Sequence, residues 1–433
     1  MVRAAARDDA GPAAVLIGYM RDWATTDTGP ATVQVMTAGG AGRPGAPAQG
    51  YDAVVVGGGT IGLTCAWRMA RRGLHVAVVD PEPGRGASWV AAGMLAPVTE
   101  VHYTEERLVA LTMASARRWP SFAVELEADA GSAIAYRTCG TLVVDGDDDD
   151  RAWSDELYRF QRSLGLDVER LNGRRVRQLE PNIAPGVRSG LLANGDHQVQ
   201  TRRLVTALLA AGTARGVQWH RFPATAIDVA GGTVRGVEVN GESLWAPVVV
   251  LAAGCWSGSI PGVPAGVVPP VRPVKGQILR LAGEARRILL QRSVRGLVQG
   301  SSVYLVPRAD GTVVIGATVE ERGFDTTVTA GAVYELLRDA RRVVPGVAEL
   351  ELVEARAGLR PGSPDNAPVV GATTVSGLVL ATGHYRNGIL LSPLTADAVA
   401  AVVAGEEVPP EMAPFTPARF GPARPASSAT ATL

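Results

Sequence analysis

The stretch that decides the fold runs from Ala53 to Asp80 and reads AVVVGGGTIGLTCAWRMARRGLHVAVVD. Its first four residues form an uninterrupted apolar run, which is typical of a parallel strand covered on both faces. The glycine-rich residues 57–62 follow directly, then a helical pattern that stops at Gly73, then a second apolar run over residues 74–79. This order and spacing predict a Rossmann βαβ unit, a fold that binds dinucleotides.

Residues 57–62 match the pattern G-x-G-x-x-G, and each glycine has a physical role. Gly57 permits the tight turn, Gly59 lets the backbone approach a pyrophosphate, and Gly62 lets helix and strand pack closely. Free amides at the helix start bind phosphates, and Asp80 accepts hydrogen bonds from a ribose 2′-hydroxyl, which disfavours NADP. The pattern predicts a dinucleotide site but does not distinguish FAD from NAD.

The segment after the second strand favours FAD. Residues 86–95, GASWVAAGML, are mostly small. A chain that runs along a flavin ring has little room for side chains, so we expect this segment to line the cofactor. Read alone, the segment is also compatible with an ordinary loop.

Composition excludes several classes of function. The 433 residues carry 42 basic and 42 acidic side chains, so no net charge attracts nucleic acid or an anionic membrane surface. Cys65, Cys139 and Cys255 are too few for a disulfide framework, and neither they nor the histidines have metal-ligand spacing. We predict a soluble cytoplasmic protein with reduced cysteines and no metal, and we interpret the acidic run 145–150 as a solvated helix cap.

Both ends of the chain lack a sustained hydrophobic period. Residues 1–50 are rich in Ala, Gly and Pro, and we expect a disordered extension there and a disordered tail over residues 413–433. The longest uncharged stretch, residues 247–271, is long enough to span a membrane, but several prolines interrupt it. It therefore predicts a buried strand followed by a loop.

Further motifs resemble the FAD-dependent D-amino acid oxidase family, and within it the glycine oxidases of thiamine biosynthesis. The resemblance covers about residues 51–410. The motifs that carry it are VVVLAAGCWSG (248–258), PVKGQ (273–277), YLVPR (304–308), IGAT (315–318), GLRPGSPD (358–365) and GHYRNGILL (383–391).

The resemblance implies an α/β fold, α+β overall, with a Rossmann-like FAD-binding domain and a second, mostly antiparallel-sheet substrate domain. The FAD domain would comprise residues 51–133, 191–258 and 359–412, and the substrate domain residues 134–190 and 259–358. Sequence patterns agree with this division. They predict strands over residues 271–281, 302–306, 312–318 and 378–382, and a closing helix over residues 388–404.

Carried over residue by residue, the resemblance implies FAD contacts from the turn, the 86–95 segment, one later strand and the last motif. Ala224 would contact the adenine, and the helix start near Asn387 and Gly388 would face the flavin. The full set is Gly57, Gly59, Thr60, Ile61, Gly62, Asp80, Ala87, Ser88, Ala92, Gly93, Met94, Ala224, His384, Tyr385, Arg386, Asn387, Gly388, Ile389 and Leu390.

The resemblance also implies the substrate-binding residues. Arg360 would hold the substrate carboxylate through two parallel hydrogen bonds, with a surface salt bridge as the alternative. Tyr304 would offer a hydroxyl or a wall of the pocket, or would be a plain core tyrosine. Arg386 would shape the site. Trp89 and Val90 stand where the family usually has smaller residues, and Val319 stands where a Met is usual, so the preferred amine stays open.

The implied reaction is oxidative deamination of glycine, sarcosine or a small D-amino acid by hydride transfer to flavin N5. Oxygen would be the acceptor, and the products would be glyoxylate, ammonia and hydrogen peroxide. The resemblance further implies a homotetramer and a hand-off to thiazole synthase. Three alternatives stay open: a D-amino acid dehydrogenase that reduces a quinone, a flavin-binding factor without oxidase activity, and a nicotinamide dehydrogenase.

Lys275 is the only lysine of the chain, and the other 41 basic residues are arginine. This skew is typical of high-GC coding, so a single surviving lysine has two interpretations. Either arginine is not acceptable at this position, or the residue survived by chance. We assign Lys275 no catalytic role on the sequence alone.

Overall fold

The computed structural model describes residues 50–145, 147–283 and 288–421. The residues from Tyr51 onward belong to one contiguous unit. The helices of this part of the chain are α1 (Thr60–Arg71), α2 (Ala87–Val90), α3 (Glu106–Ala130), α4 (Asp148–Ser163), α5 (Gly173–Leu179), α6 (Thr201–Ala214), α7 (Ala330–Val343) and α8 (Gly388–Ala404).

A six-stranded sheet forms around the stretch that opens the domain. Its order is β18-β19-β12-β1-β2-β8, and every pair is parallel except β18 with β19. The strands are β1 (Ala53–Val56), β2 (Val76–Val79), β8 (Gln218–His220), β12 (Val249–Leu251), β18 (Val369–Ala372) and β19 (Leu378–Thr382). The βαβ unit at residues 53–79 is therefore present at the centre of this sheet.

A second, eight-stranded sheet is mostly antiparallel and has the order β17-β13-β16-β15-β14-β4-β6-β5. Its strands are β4 (Thr141–Asp145), β5 (Glu169–Asn172), β6 (Ser189–Ala193), β13 (Arg272–Ala282), β14 (Ser293–Val298), β15 (Ser301–Pro307), β16 (Val313–Gly316) and β17 (Glu351–Gly362). The long pair β13–β17 sets the register that places Val274 opposite Arg360. This pair carries the predicted substrate residue toward one end of the sheet.

Two small sheets complete the architecture. One is three-stranded, with β9 (Ala224–Ala230), β10 (Thr233–Val239) and β11 (Glu242–Trp245), and the other pairs β3 (Met94–Leu95) with β7 (His197–Gln198). Short 3-10 helices lie at Gly254–Ser259, Pro345–Glu349, Tyr385–Asn387, Pro410–Phe415 and Pro417–Phe420. The predicted fold class, a Rossmann-like sheet with a second, mostly antiparallel sheet, is confirmed.

Helix α8 is the apolar centre of the nucleotide-binding half. Within the described ranges one helix, Tyr385–Ala404, is long and apolar enough to cross a membrane. Of its apolar 18-residue stretch, 72% is buried inside the structure. Leu391, Leu394 and Val399 belong to the same core cluster as Val55 of β1. The helix therefore packs as a core element against the parallel sheet.

The domain boundaries stay a prediction, but two of them fall inside strands. The boundary after residue 190 cuts β6, and the boundary after residue 358 cuts β17. The expected disordered extension over residues 1–50 lies outside the described residues apart from Gly50. The expected disordered tail is wrong for residues 413–421, because Phe415 is 3% exposed and Arg419 pairs with Asp365. The remainder of that tail, residues 422–433, lies outside the described residues.

The acidic run 145–150 caps a helix, as predicted, but it is not solvated throughout, because Asp145 and Asp150 are buried. The Asp147 side chain accepts hydrogen bonds from the backbone amides of Asp149 and Asp150 at the start of α4. This is the usual role of an N-cap aspartate. Among the described residues no group of three or more His, Cys, Asp or Glu side chains could hold a metal ion.

Candidate active site

The turn after β1 is built so that only glycine fits at two of its positions. A Cβ at Gly57 would lie 2.4 Å from the carbonyl oxygen of Ala252, and the residue has φ +108°. A Cβ at Gly62 would lie 1.9 Å from the carbonyl oxygen of Gly57. The close approach of α1 to the turn brings the helix start directly beneath the place where a dinucleotide pyrophosphate would lie.

The start of α1 has polar groups that the described residues leave unsatisfied. Gly59 is the N-cap and offers no side-chain cap, and no acidic residue stands in the first turn. The Thr60 amide donates to Ser88 Oγ at 2.8 Å, while the buried Thr60 hydroxyl oxygen has no hydrogen-bond partner among the described residues. These features fit a bound phosphate group. Thr60, Ile61 and Ser88 would therefore hold the pyrophosphate of FAD.

Asp80 lies at the end of β2, as the fingerprint predicts. Its carboxylate accepts hydrogen bonds from the backbone amides of Gly58 at 2.6 Å and Glu82 at 2.8 Å. Burial raises the pKa of the Asp80 carboxyl group, although these two amides oppose the shift. The carboxylate is thus fixed beside the turn, in the position from which it would bind the ribose.

Helix α2 connects the nucleotide turn to the second sheet. Ser88 contacts the turn through the Thr60 amide, and a Cβ at Gly358 of β17 would lie 3.0 Å from Val90. Because Gly358 has no side chain, β17 packs directly on α2. Arg360, two residues further along β17, is therefore close to the segment predicted to line the cofactor.

The other residues predicted to contact the cofactor lie in the segment 87–94 and at the start of β9. Ala92 is buried, Gly93 has φ +76°, and Met94 pairs with Gln198 across β3 and β7. Ala87 is partly buried in α2, and Ala224 opens β9 with an exposed fraction of 8%. Ala92 and Met94 belong to one small apolar cluster, and the contacts of Ala87, Gly93 and Ala224 with FAD stay predictions.

Arg360 has the properties expected of a carboxylate anchor. Its Nη1 atom donates to the carbonyl oxygen of Thr318 at 3.1 Å and to that of Lys275 at 3.5 Å. Within the described residues no Asp or Glu carboxylate lies within ion-pair distance of its guanidinium group. The alternative of a surface salt bridge therefore has no support, and the guanidinium charge is left for a ligand.

Gly276 is the position against which the Arg360 side chain lies. A Cβ at Gly276 would lie 2.5 Å from both terminal nitrogens of Arg360. A larger residue there would push the guanidinium group out of place. The PVKGQ motif thus contributes to the site through a glycine whose role the sequence did not reveal.

Tyr304 lies on β15 beside Arg360. A Cβ at Gly316 would lie 2.3 Å from the Tyr304 hydroxyl, so the phenol crosses the neighbouring strand. Burial raises the pKa of Tyr304, and the nearby Arg360 opposes this shift. The tyrosine is partly buried, packs against the apolar cluster that contains Ile278 and Val306, and lies close enough to Arg360 for the guanidinium charge to affect its pKa.

Arg386 follows β19 in the 3-10 helix Tyr385–Asn387 and is tied to acidic residues that the sequence analysis missed. Its guanidinium group donates to the Glu105 carboxylate and lies 4.0 Å from Glu100. Arg295 of β14 pairs with Glu100 at 2.5 Å. The four charged side chains form a cluster beside Tyr304, which we call the Glu100 cluster: Glu100, Glu105, Arg295 and Arg386.

The arginines of the Glu100 cluster favour the ionised form of Glu100. Burial opposes ionisation of Glu100, but Arg295 and Arg386 outweigh it and lower the pKa of the carboxyl group. A carboxylate held this way is a weak base. No signal in the sequence joined these residues, because they come from separate loops and strands.

The last motif lies beside the end of β17. Gly362 and His384 form an isolated antiparallel bridge, and Asn387 precedes α8, whose N-cap lacks a side-chain hydrogen bond. Tyr385 is partly buried, Gly388 opens the helix, and Ile389 and Leu390 are buried in the core. The structure thus brings this motif next to Arg360, and its contacts with the flavin stay a prediction.

His384 makes the stability of the fold depend on pH. Its ring is 2% exposed, its Nε2 atom lies 2.9 Å from Thr395 Oγ1, and burial lowers its pKa to about 3. The unfolded histidine binds a proton below about pH 6.5, so the folded state loses stability as pH falls from there toward 3. The slope for one such group is about 1.4 kcal/mol per pH unit.

We therefore predict that a His384→Gln variant loses part of the acid sensitivity of the wild type. The difference between their unfolding free energies should change by about 2–3 kcal/mol between pH 7 and pH 4.5. Urea unfolding of both proteins at the two pH values measures this difference. An equal loss of stability in both proteins would contradict the assignment.

Lys275, the only lysine of the chain, is buried beside the site. Its side chain is 1% exposed. The ammonium nitrogen lies 2.7 Å from a carboxylate oxygen of Asp325 and 3.8 Å from one of Glu320. Its hydrogen bond is the main cause that lowers the pKa of Asp325. Its backbone exchanges two hydrogen bonds with Glu320, and this pairing fixes the segment 317–329 whose Thr318 carbonyl contacts Arg360.

We predict that a Lys275→Met variant raises the KM for substrate about tenfold while FAD remains bound, because the segment that orients Arg360 loses its anchor. The loss of a charged hydrogen bond corresponds to about 1.5–3 kcal/mol. Steady-state kinetics and the flavin spectrum measure the two effects. An Arg322→Met variant on the same segment, where Arg322 is exposed, is the control. Unchanged KM in Lys275→Met would disprove the anchoring role.

Comparison with known proteins identifies the family. The family model described as FAD dependent oxidoreductase (DAO) matches residues 52–402. Glycine oxidase of Geobacillus kaustophilus is 33% identical over 372 residues, covering 84% of this chain and 96% of that protein. The crystal structure of glycine oxidase from Geobacillus kaustophilus matches with a TM-score of 0.78 at 32% identity, covering 84% of this chain and 98% of the other.

Two relatives have other names. The bifunctional protein ThiO/ThiG of Trichormus variabilis is 32% identical over 383 residues, covering 85% of this chain and 55% of that protein, so the chain spans about half the length of this relative. Hydrogen cyanide synthase subunit HcnC of Pseudomonas aeruginosa is 31% identical over 420 residues, covering 88% and 99%.

These matches confirm the resemblance that the motifs indicated, and with it FAD as the cofactor. The family model begins one residue before β1 and ends inside α8, so it includes the nucleotide turn, both main sheets and the Arg360 strand. From the fold, the fitted turn and this match, we conclude that the chain is a member of the FAD-dependent oxidoreductase (DAO) family.

Proposed function

We propose that the protein oxidises the amine of glycine, or of a similarly small amino acid, to an imine that hydrolyses to glyoxylate and ammonia. The observation that carries the proposal is the Arg360 guanidinium group, which lies beside Tyr304 and has no carboxylate partner among the described residues. Two parallel hydrogen bonds to a substrate carboxylate would satisfy it. The glycine oxidase relatives support the choice of substrate.

The chain's own residues would bind and orient the substrate. Arg360 would fix the carboxylate, and Tyr304 would donate its hydroxyl hydrogen to the same group. Gly276 and the Thr318 carbonyl would keep the guanidinium group in place. Bound FAD supplies the hydride acceptor, and we propose oxygen as the final acceptor, which is reduced to hydrogen peroxide.

The electrostatics favour a substrate whose amine is already neutral when it reacts. The carboxylates near the site, Glu100 and Glu105, are paired with Arg295 and Arg386, and the lowered pKa of Glu100 makes that group a weak base. A reaction that removes a hydride from the α-carbon needs no base at that carbon. The Glu100 cluster would instead wall off the pocket and restrict it to small amino acids.

We further propose a cytoplasmic location, a homotetramer and a role in thiamine thiazole synthesis, with hand-off of the product to thiazole synthase. The ThiO/ThiG relative supports this role. The three cysteines are free, as a reducing compartment would keep them. Light scattering of the purified protein tests the tetramer, and a dimer or monomer would refute it.

The test is a substrate panel with the FAD-loaded protein. Glycine, sarcosine and D-alanine are offered in air, and hydrogen peroxide, the released amine and the 2-oxo acid are measured together. Each turnover should release one peroxide with one ammonia and one glyoxylate from glycine, one methylamine and one glyoxylate from sarcosine, or one ammonia and one pyruvate from D-alanine. Reduction of a quinone dye without peroxide would establish the dehydrogenase instead, and a flavin that anaerobic glycine fails to bleach would leave a binding factor.

A second candidate function is the oxidation of glycine to cyanide. It is suggested by the HcnC relative, 99% of whose length this chain covers. A cyanide electrode in the same assay distinguishes the two outcomes. Cyanide in place of glyoxylate would assign the chain to a cyanide synthase. Glyoxylate with peroxide and no cyanide would support the oxidase.

A further inference from the structure

A small cavity lies away from the predicted substrate residues, where β7, the start of α6 and the end of β15 meet. Its volume is about 40 Å³. One water needs roughly 10–15 Å³ on this measure, so the cavity holds about three waters, which is the size of a small oxyanion. Its polar lining residues are Arg137, Gln198, Gln200, Arg203, Arg308 and Asp310.

Arg308 is the buried cation of this cavity. It is 4% exposed, and its terminal nitrogens donate to Gln198 Oε1 at 3.0 Å, to the Val199 carbonyl at 3.1 Å and to the Ala92 carbonyl. Its Nε atom is buried and has no hydrogen-bond partner among the described residues. No carboxylate lies within ion-pair distance of Arg308 among those residues, although Asp310 is close enough to interact with its charge.

Two further arginines and a helix start face the same space. Arg137 donates through Nη2 to the Gln291 carbonyl at 2.9 Å, whereas its buried Nη1 atom has no partner among the described residues. Arg203 is exposed in the first turn of α6, and the N-cap Gln200 makes no side-chain cap. The helix dipole therefore adds positive potential to that of the side chains.

The negative charge in the lining is small by comparison. Asp310 is the acidic lining residue, and its carboxylate already accepts hydrogen bonds from the Thr312 amide at 3.1 Å and hydroxyl at 2.6 Å. Three guanidinium groups thus line the cavity with one carboxylate, which already accepts two hydrogen bonds from Thr312. Planar guanidinium groups with free N–H donors recognise the oxygens of phosphate groups.

We propose that this cavity binds one small oxyanion, either inorganic phosphate or the phosphate group of a metabolite. The guanidinium groups of Arg137 and Arg308, which line the cavity, would donate to its oxygens, and Arg203 would close the open side. This site is separate from the α1 start that would hold the FAD pyrophosphate. It also contacts the segment predicted to line FAD, because Arg308 donates to the Ala92 carbonyl and the Val199 amide donates to the Gly93 carbonyl.

The test uses the FAD-loaded protein, in which FAD fills the α1 site. Thermal unfolding is followed with increasing inorganic phosphate and with sodium chloride at equal ionic strength. We expect phosphate, but not chloride, to raise Tm by about 2–5 °C. No phosphate-specific rise in the wild type would overturn the proposal.

Three variants locate the effect. In Arg137→Gln/Arg203→Gln the phosphate shift should disappear, and in the matched surface pair Arg151→Gln/Arg174→Gln, where both arginines are exposed, it should remain. In Arg360→Ala it should also remain, which excludes binding at the proposed substrate site. A shift that survives the Arg137/Arg203 change, or that disappears with Arg360, would overturn the proposal.

Calorimetry then distinguishes the source of the ligand. Inorganic phosphate and glycerol phosphate are titrated separately into the wild type and into Arg137→Gln/Arg203→Gln. Tighter binding of either one by the wild type, lost in the double variant, supports the site and names the source. No heat that depends on these two arginines, with both ligands, would contradict it.

Discussion

An Arg360→Ala variant should bind FAD normally and show a KM for its amino acid about 100- to 10,000-fold above that of the wild type. Each charged hydrogen bond contributes about 1.5–3 kcal/mol, and two are lost together. About 1.4 kcal/mol corresponds to a factor of ten in affinity. Steady-state kinetics with the preferred substrate and the visible flavin spectrum are the measurements.

Two further substitutions define what Arg360 does. Arg360→Lys keeps the charge but loses the two-pronged geometry, so its KM should lie between those of the wild type and the alanine variant. Arg356→Ala, on the same strand, removes an arginine that pairs with Glu354 and should leave KM nearly unchanged. A wild-type KM in Arg360→Ala would show that the carboxylate binds elsewhere, and the proposed function would lose its main support.

A Gly62→Ala variant should lose FAD, with a cofactor Kd at least 10- to 100-fold higher than that of the wild type. The new methyl group would lie 1.9 Å from the Gly57 carbonyl, so α1 must move away from the turn that holds the pyrophosphate. Overpacking of this kind costs about 1–3 kcal/mol. The ratio of flavin to protein absorbance after purification, followed by FAD titration, measures the effect.

The matched control is Gly331→Ala. An added Cβ at Gly331 meets nothing within 4 Å, and the residue lies in the first turn of α7. That variant should keep its FAD and gain about 0.4–1 kcal/mol of stability from the reduced freedom of the unfolded chain. Circular dichroism of Gly62→Ala separates lost binding from lost folding. Full FAD content in a folded Gly62→Ala protein would disprove the steric argument.

Much of the fold was predictable because its signals are local. The strand, turn, helix and strand of residues 53–79 follow one another within a short stretch, and the predicted closing helix 388–404 matches α8. Arg360 stood out because glycines and a proline surround it in the sequence. In these cases a short window of sequence contains both the structural element and the reason for it.

The Glu100 cluster was not predictable from the sequence for the opposite reason. Glu100 and Glu105 precede α3, Arg295 lies on β14 and Arg386 follows β19, and only the packing of separate elements brings them together. The ordered residues 413–421 were missed because proline-rich 3-10 turns have no hydrophobic period. Their attachment depends on one buried phenylalanine and on a pair between Arg419 and Asp365.

The burial of Lys275 has a practical consequence. Because the chain has no second lysine, the folded protein presents no accessible lysine side chain to acylating reagents or to lysine-specific proteases. Labelling at this position requires the segment around Asp325 to open first. The rate at which a lysine-directed reagent modifies the native protein therefore reports how often the segment 317–329, which contacts Arg360, separates from β13.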